Sequence, residues 1–395
     1  MSSGLDLFDE QADAPRPRGR RDRRRRRARL LLGAILFGVV AAATWFGVQQ
    51  ILGFGMFGDY DGAGERDVLI EVRAGDSIGA IGGKLAEADV VATSRSFVSA
   101  SEDNSAVAGV QPGYYVMKTR MSGELAAERI VDPETRVGQL EIRAGTQLDD
   151  ITQPNDEVTK GIYSLLADAS CAELNGQSTC VSAEDLRQTV ADSGLADLGA
   201  PEWAVGPAEQ ADPERWLEGL VVPGVYDLRP GWSAERILRT VLEESATTLQ
   251  AWGLPKLAED NQLNPYETLV VASLIEREGI AADFGKISRV IYNRLEDGTR
   301  LQFDSTVNYA LDRPQVRTNP EDRARAGPYN TYDSAGLPPT PIASPSQAAV
   351  QAAAEPEEGS WMYFVKCYKD GKSCFAETNQ EHNQNRREAQ ARGAY

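Results

Sequence analysis

Apolar positions fall into three patterns along the chain. Residues 30–58 hold no charged side chain, and "LLLGAILFGVVAAATWFGV" within them is about the length of one bilayer crossing. Alternation then takes over: "IEVRAGDSI" (Ile70–Ile78) recurs as "LEIRAGTQL" (Leu140–Leu148), each predicting a strand, an Ala-Gly turn and a polar-capped helix. A second echo runs from "PGYYVMKTRMSGELAAERIV" at Pro112 to "PGVYDLRPGWSAERIL" at Pro223, again a strand, a turn and a Ser-initiated helix. Beyond Pro223 the period becomes helical. "SAERILRTVLEESATTLQAWG" starts a long amphipathic helix near Ser233, and "NPYETLVVASLIERE" a second, with Asn264 as cap and Pro265 at the first helical position. "DFGKISRVIYNRLEDG" predicts a third, capped by Asp283, with Phe284, Ile287, Val290, Ile291 and Leu295 on one face. Gly279 suits the end of the second helix.

Charge gives the uncharged block its meaning. Ten arginines lie between Arg16 and Arg29 in a chain whose net charge is −18. Such a run beside a membrane span stays cytoplasmic, so residues 1–29 read as a cytoplasmic tail and 30–58 as a transmembrane helix, with the rest extracytoplasmic. This leaves little room for a nucleic-acid role. A signal peptide cleaved near Ala41–Ala43 is the competing reading; the apolar stretch continuing to Phe57 favours a retained anchor. Residues 59–66 read as a linker. Residues 59–154 then carry a strand–helix unit, "VRAGDSIGAIGGKLAEADVV", that resembles LysM-type glycan-binding modules, although Gly82 and Gly83 are unhelpful inside a helix. Residues 155–218 are acidic and rich in Ala, Asp and Pro, and read as a helical insertion with loops. Residues 219–395 hold the dense signal.

The four cysteines form two close pairs, Cys171 with Cys180 and Cys367 with Cys374, which suit local disulfides in an exported chain. The chain contains one histidine, His382, so no Ser-His-Asp triad is possible unless His382 serves it, and a zinc site is not expected; neither is any other cofactor. Acid–base chemistry therefore falls to carboxylates. In "LVVASLIEREGI", Glu276 and Glu278 are separated by about 200° around a helix. Glu278 shares its side with Val271, Leu274, Ile275 and Ala282, and burial there raises a carboxyl pKa. The bland alternative is a helix-end acid paired with Arg294 or Arg300. Glu276 reads as orienting its neighbours or pairing with Arg277 or Lys286. After Asp297-Gly298, Asp304 or Ser305 is positioned to cap a short helix. The loop from Gly327 to Ser346 combines Tyr329, Asn330, Thr331 and Tyr332 with prolines, offering stacking faces and amide donors suited to sugars.

"ASLIEREG", "VIYNRLEDGTRLQFDSTVNYAL", "YNTYDSAGLPPTPIASP" and "FAETNQEHNQ" together resemble the MltG (YceG-like) endolytic murein transglycosylases, from about Pro223 to Asn383. Ser305, Gly279 and Thr340 stand where that family commonly has Pro, Thr and Gly. The resemblance implies an α+β protein with a single transmembrane helix, LysM-like modules and a mixed α/β transglycosylase domain. It also implies non-hydrolytic cleavage between N-acetylmuramic acid and N-acetylglucosamine in peptidoglycan glycan strands, beside wall-synthesis enzymes. Glu278, the second acid of "ERE", is then the catalytic group, with Gln302, Asp304, Tyr329, Asn330, Thr331 and Tyr332 as substrate-binding candidates. Two rivals stand beside it: an inverting hydrolase using Glu278 and Asp304, and a non-catalytic wall-binding scaffold.

Overall fold

The computed structural model describes residues 58–153, 155–259, 263–311 and 318–394. The arginine tail, and all but the last residue of the predicted membrane span, lie outside them. Among the described residues no helix is long and apolar enough to cross a membrane. From Tyr60 onward the chain forms one compact unit of mixed α+β structure.

The first repeat builds β1 (Asp67–Val72), α1 (Ile78–Glu87), α2 (Ser94–Asp103), β2 (Gly113–Lys118), α3 (Gly123–Ile130) and β3 (Arg136–Val137). β2 lies between β1 and β3, antiparallel to both, with Ile70 opposite Tyr115. The helices pack on this sheet around Leu85, Phe97, Met117 and Ile130. Gly82 is needed where α1 crosses α2: a Cβ there would stand 2.8 Å from Ser94 Oγ and 3.0 Å from its carbonyl oxygen. Residues 59–66 do not form a free linker. Ala63 bridges Met121, the Glu65 amide donates to the Thr119 carbonyl at 2.8 Å and the Ser122 amide donates to Gly62 O at 2.9 Å, so this stretch is tied to the first repeat.

The second repeat begins with β4 (Gln139–Ile142), but no helix follows its turn directly. A hairpin, β5 (Ile151–Thr152) and β6 (Val158–Thr159), loops out first, and the chain returns to the place it left. There the Ile162 amide donates to Gln147 O at 2.9 Å and the Tyr163 amide to Leu148 O at 3.1 Å. Next come α4 (Ile162–Ser170), the hairpin β7 (Glu173–Leu174) and β8 (Gln177–Ser178), α5 (Ala183–Ser193), α6 (Glu202–Ala208) and β9 (Gly224–Asp227), which pairs antiparallel with β4. The acidic stretch 155–218 thus supplies the helices between the two paired strands. Tyr163, Leu166, Leu186, Val190 and Leu198 from it lie in the same core as the helices that follow.

Those are α7 (Ala234–Ala251), α8 (Pro265–Glu278), α9 (Phe284–Glu296), α10 (Asp304–Tyr309), α11 (Pro320–Ala324) and α12 (Gln347–Ala354). The hairpin β10 (Tyr363–Lys366) and β11 (Ser373–Ala376) and helix α13 (Asn379–Ala391) complete the chain. Ser233 caps α7, and Asn264 caps α8 in a reciprocal arrangement with Glu267. Asp283 precedes α9 without capping it, because its Oδ2 accepts from the Ser373 amide at 2.7 Å. Cys171–Cys180 closes the loop around β7–β8, and Cys367–Cys374 ties β10 to β11. α8 is the central helix, with Leu269 to Ile275 buried on every side.

Candidate active site

Because α8 is buried all round, apolar surroundings alone do not separate its two terminal glutamates. Their partners do. Glu276 Oε2 accepts from both the amide and the hydroxyl of Ser346, at 3.0 and 2.5 Å, and Ser346 is the N-cap of α12. It forms no ion pair with Arg277 or Lys286: Arg277 donates to Gly145 O, and Lys286 sits over the Trp361 and Phe375 rings. Glu276 therefore serves a helix terminus, where a negative charge is stabilising.

Glu278, the last residue of α8, is half-buried. Its Oε1 accepts from the hydroxyl of Ser305, in the first turn of α10. Arg294 is not its partner. That guanidinium is buried and donates to the carbonyls of Met362, Arg300 and Leu301, fixing the segment that leads into α10. Burial pushes the Glu278 carboxyl up to about 7; the Ser305 hydroxyl and amide and the Arg277 charge pull it down, and Asp304 adds to the rise. A carboxyl balanced there is protonated often enough to give a proton and ionised often enough to take one back.

Two sequence expectations about this corner change. Gly279 does not end α8 in the left-handed conformation, since its φ is −151°. Its lack of a side chain makes room instead: a Cβ would stand 2.2 Å from Ile287 Cδ1. Ala282 lies beyond the end of α8 and is exposed, so it is not part of the apolar wall.

The other candidates take three positions. Asp304 opens α10 without capping it, and both of its oxygens are occupied. Oδ1 accepts from Thr318 Oγ1 at 2.6 Å and from the Tyr332 hydroxyl at 2.8 Å; Oδ2 accepts from Arg323 Nη2 at 3.0 Å. Arg323 also covers the Tyr332 ring at 4.9 Å and donates from Nε to Thr318 Oγ1 at 2.7 Å. Gln302 is exposed with φ +55°, and Tyr332 is half-buried, so both reach solvent. Tyr329, Asn330 and Thr331 are buried. Tyr329 bonds Thr340 through its hydroxyl at 2.9 Å, and Asn330 Nδ2 donates to the carbonyls of Arg323 and Arg325. Thr331 accepts from the Phe303 and Gln302 amides, through its hydroxyl and carbonyl oxygens respectively. These three shape the loop from within. His382 stacks on Tyr363, ring centroids 5.3 Å apart.

Thr318 and Arg323 carry no signal in the sequence, and Arg294 is legible there only as a possible ion-pair partner of Glu278, not as the donor to three carbonyls that it is. Their contacts join segments from 5 to 68 residues apart, and no local pattern marks them.

The profile of the YceG-like family matches residues 70–388. An endolytic murein transglycosylase of Bacillus subtilis (strain 168) is 28% identical over 319 residues, covering 80% of this chain and 83% of that one. Another, from Streptococcus pneumoniae serotype 2, is 25% identical over 365 residues; the match takes in 89% of this chain and 63% of the pneumococcal protein, less than two thirds of its length. The crystal structure of a yceG-like protein from Listeria monocytogenes matches with a TM-score of 0.53 at 25% identity, covering 80% of this chain and 98% of that one.

Proposed function

The chain belongs to the YceG-like family, and on that premise we propose that it is an endolytic murein transglycosylase whose acid and base are the one carboxyl of Glu278. The substrate is the peptidoglycan glycan strand, cut between N-acetylmuramic acid and N-acetylglucosamine. Protonated Glu278 gives its proton to the glycosidic oxygen as the bond to C1 of the muramic acid breaks. The resulting carboxylate takes the proton of the C6 hydroxyl, whose oxygen attacks C1 and closes a 1,6-anhydro ring. The proton count closes on Glu278, and no water is consumed. The Bacillus and Streptococcus relatives are themselves named endolytic murein transglycosylases.

The observation that carries this reading is the position of Glu278: a half-buried carboxyl at the open end of α8, held by a neutral hydroxyl rather than a cation, with its acidity balanced near 7. The inverting-hydrolase alternative asks Asp304 to activate water. Asp304 is poorly placed for that, because three side chains already occupy its oxygens and one is a guanidinium. Gln302 and Tyr332 are the candidates best placed to touch sugar, while Tyr329, Asn330 and Thr331 support the loop. The strand–helix region of residues 59–154 suits a role in holding the strand, as a LysM-like region.

The arginine run and the uncharged residues 30–58 support a single-pass anchor with its N-terminus in the cytoplasm. That location favours action on nascent strands beside wall-synthesis enzymes, setting strand length. Terminal sequencing of membrane-extracted protein tests the anchor: a mature chain starting near Thr44 would replace it with a cleaved signal. Digestion of purified glycan by the detergent-solubilised chain tests the reaction, with 1,6-anhydro ends expected and reducing ends contradicting it.

A further inference from the structure

Of the fully buried polar side chains among the described residues, only Glu218 is an acid. It lies well outside the glutamates of α8 and takes no part in the proton transfers above. Its Oε2 accepts from the Tyr309 hydroxyl at 2.9 Å and from the Leu148 amide at 3.3 Å, and its Oε1 has no partner. A buried acid with an unsatisfied oxygen is costly, and an apolar side chain would fill the same space at less expense. What Glu218 adds is direction. It is the point where three distant segments meet: its own, the turn after β4, and the C-terminal end of α10.

α10 is the same six-residue helix whose first turn carries Ser305. Four residues along a helix amount to about 6 Å, so the end held by Glu218 and the end touching Glu278 move together. Tyr309 at the far end is buried in the main core. Tyr309 lies against Arg215 on one side, 4.8 Å from ring centroid to guanidinium, and against Tyr329 at 4.8 Å. Beside it opens a cavity of about 220 Å³, lined in part by Asp149, Arg215, Tyr309 and Leu311. The Tyr309 hydroxyl accepts from Arg215 Nη1 at 3.4 Å and donates to Glu218 at 2.9 Å, so the bond to Glu218 is the shorter of the two that direct it.

We propose that Glu218 is a positioning residue for the reaction: by anchoring the Tyr309 hydroxyl it sets the placement of α10 and so holds Ser305 against Glu278. The inference rests on the reading of Glu278 as the acid. The charged and titratable groups around Glu278 are Asp304, Arg277, Arg294 and Tyr332. Those around Glu218 are Tyr309, Arg215, Asp149, Tyr163, Tyr266 and Tyr329. Ser305 is the structural link between the two sets, because it shares α10 with Tyr309 and its hydroxyl donates to Glu278.

The test follows the Glu278 carboxyl directly, by carbon-13 NMR titration of glutamate-labelled full-length protein, with Glu278→Gln identifying the resonance. Tyr309→Phe removes one hydroxyl and keeps the ring; Glu218→Ala removes the anchor; Glu218→Gln retains an acceptor. Tyr309→Phe and Glu218→Ala should both move the Glu278 titration upward, as Ser305→Ala does, and lower kcat roughly 10- to 100-fold with KM little changed. Glu218→Gln should restore most of the difference. In a Ser305→Ala background, Glu218→Ala should move the titration no further. If Glu218→Ala does not fold, Tyr309→Phe carries the test. A folded Tyr309→Phe with an unmoved Glu278 titration overturns the proposal, as does a shift that survives whole in the Ser305→Ala background. A wild-type chain that titrates as described but makes no anhydro product would instead sink the catalytic reading and leave the coupling standing.

Discussion

Ser305 donates its hydroxyl to Glu278 across the junction of α10 and α8, a neutral contact where the neighbouring sequence offers several arginines. The bond favours the ionised carboxyl and so opposes burial, which favours the neutral one. Ser305→Ala should therefore raise the Glu278 pKa. Activity should fall as pH rises through that pKa, since the protonated form starts the reaction, and the falling limb should lie at higher pH in the variant. Rate measured against pH for both proteins checks this. An unchanged or lowered limb would mean that the hydroxyl does not act on the acid.

Glu276→Gln should be mild in activity, within about 3-fold of wild type. Its cost should appear in stability, about 1 kcal/mol, because the charge on the α12 N-cap is lost. Thermal denaturation and a turnover assay on one preparation separate the two effects. A Glu276→Gln protein that is stable but inactive would place the acid at the wrong glutamate.

Asp304→Asn keeps acceptors for Tyr332 and Thr318 but loses the charge facing Arg323. Activity should fall about 10-fold through loosening of the loop, with the products still anhydro-ended. Reducing-end products from wild type, abolished by this substitution, would favour the hydrolase reading.

Much of this arrangement was legible in the sequence, and the illegible parts share a cause. Caps such as Ser233 and Asn264 announce themselves within four residues, and the two echoes mark strands that pair with one another, β1 with β2 in the first copies and β4 with β9 in the second. Residues 155–218 read as an insertion because the β5–β6 hairpin separates Leu148 from the helix that continues its repeat. Tyr329, Asn330 and Thr331 read as sugar contacts because residue type in a proline-rich loop does not reveal direction, and all three turn inward. Glu218 had no signal at all. Its partners, Leu148 and Tyr309, lie 70 and 91 residues away.

Glu278 also bears on stability. Its folded-state pKa of about 7 stands above the ordinary 4.5, so between those values the folded chain holds a proton that the unfolded chain has lost. Stability is therefore lost as pH rises from about 4.5 to 7. Glu278→Gln removes the titration and should be more stable than wild type at pH 8, by roughly 1 kcal/mol, with a smaller difference at pH 4. Denaturant titrations of both proteins at the two pH values check the sign.

The central claim is that one carboxyl performs the whole cleavage without water. Digesting purified glycan strands in oxygen-18 water and weighing the new ends tests it most directly. Wild type should yield 1,6-anhydro-muramic acid ends with no oxygen-18, and Glu278→Gln should lower their yield about 100-fold or more while staying folded. Oxygen-18 at new reducing ends, or full activity in folded Glu278→Gln, would contradict it.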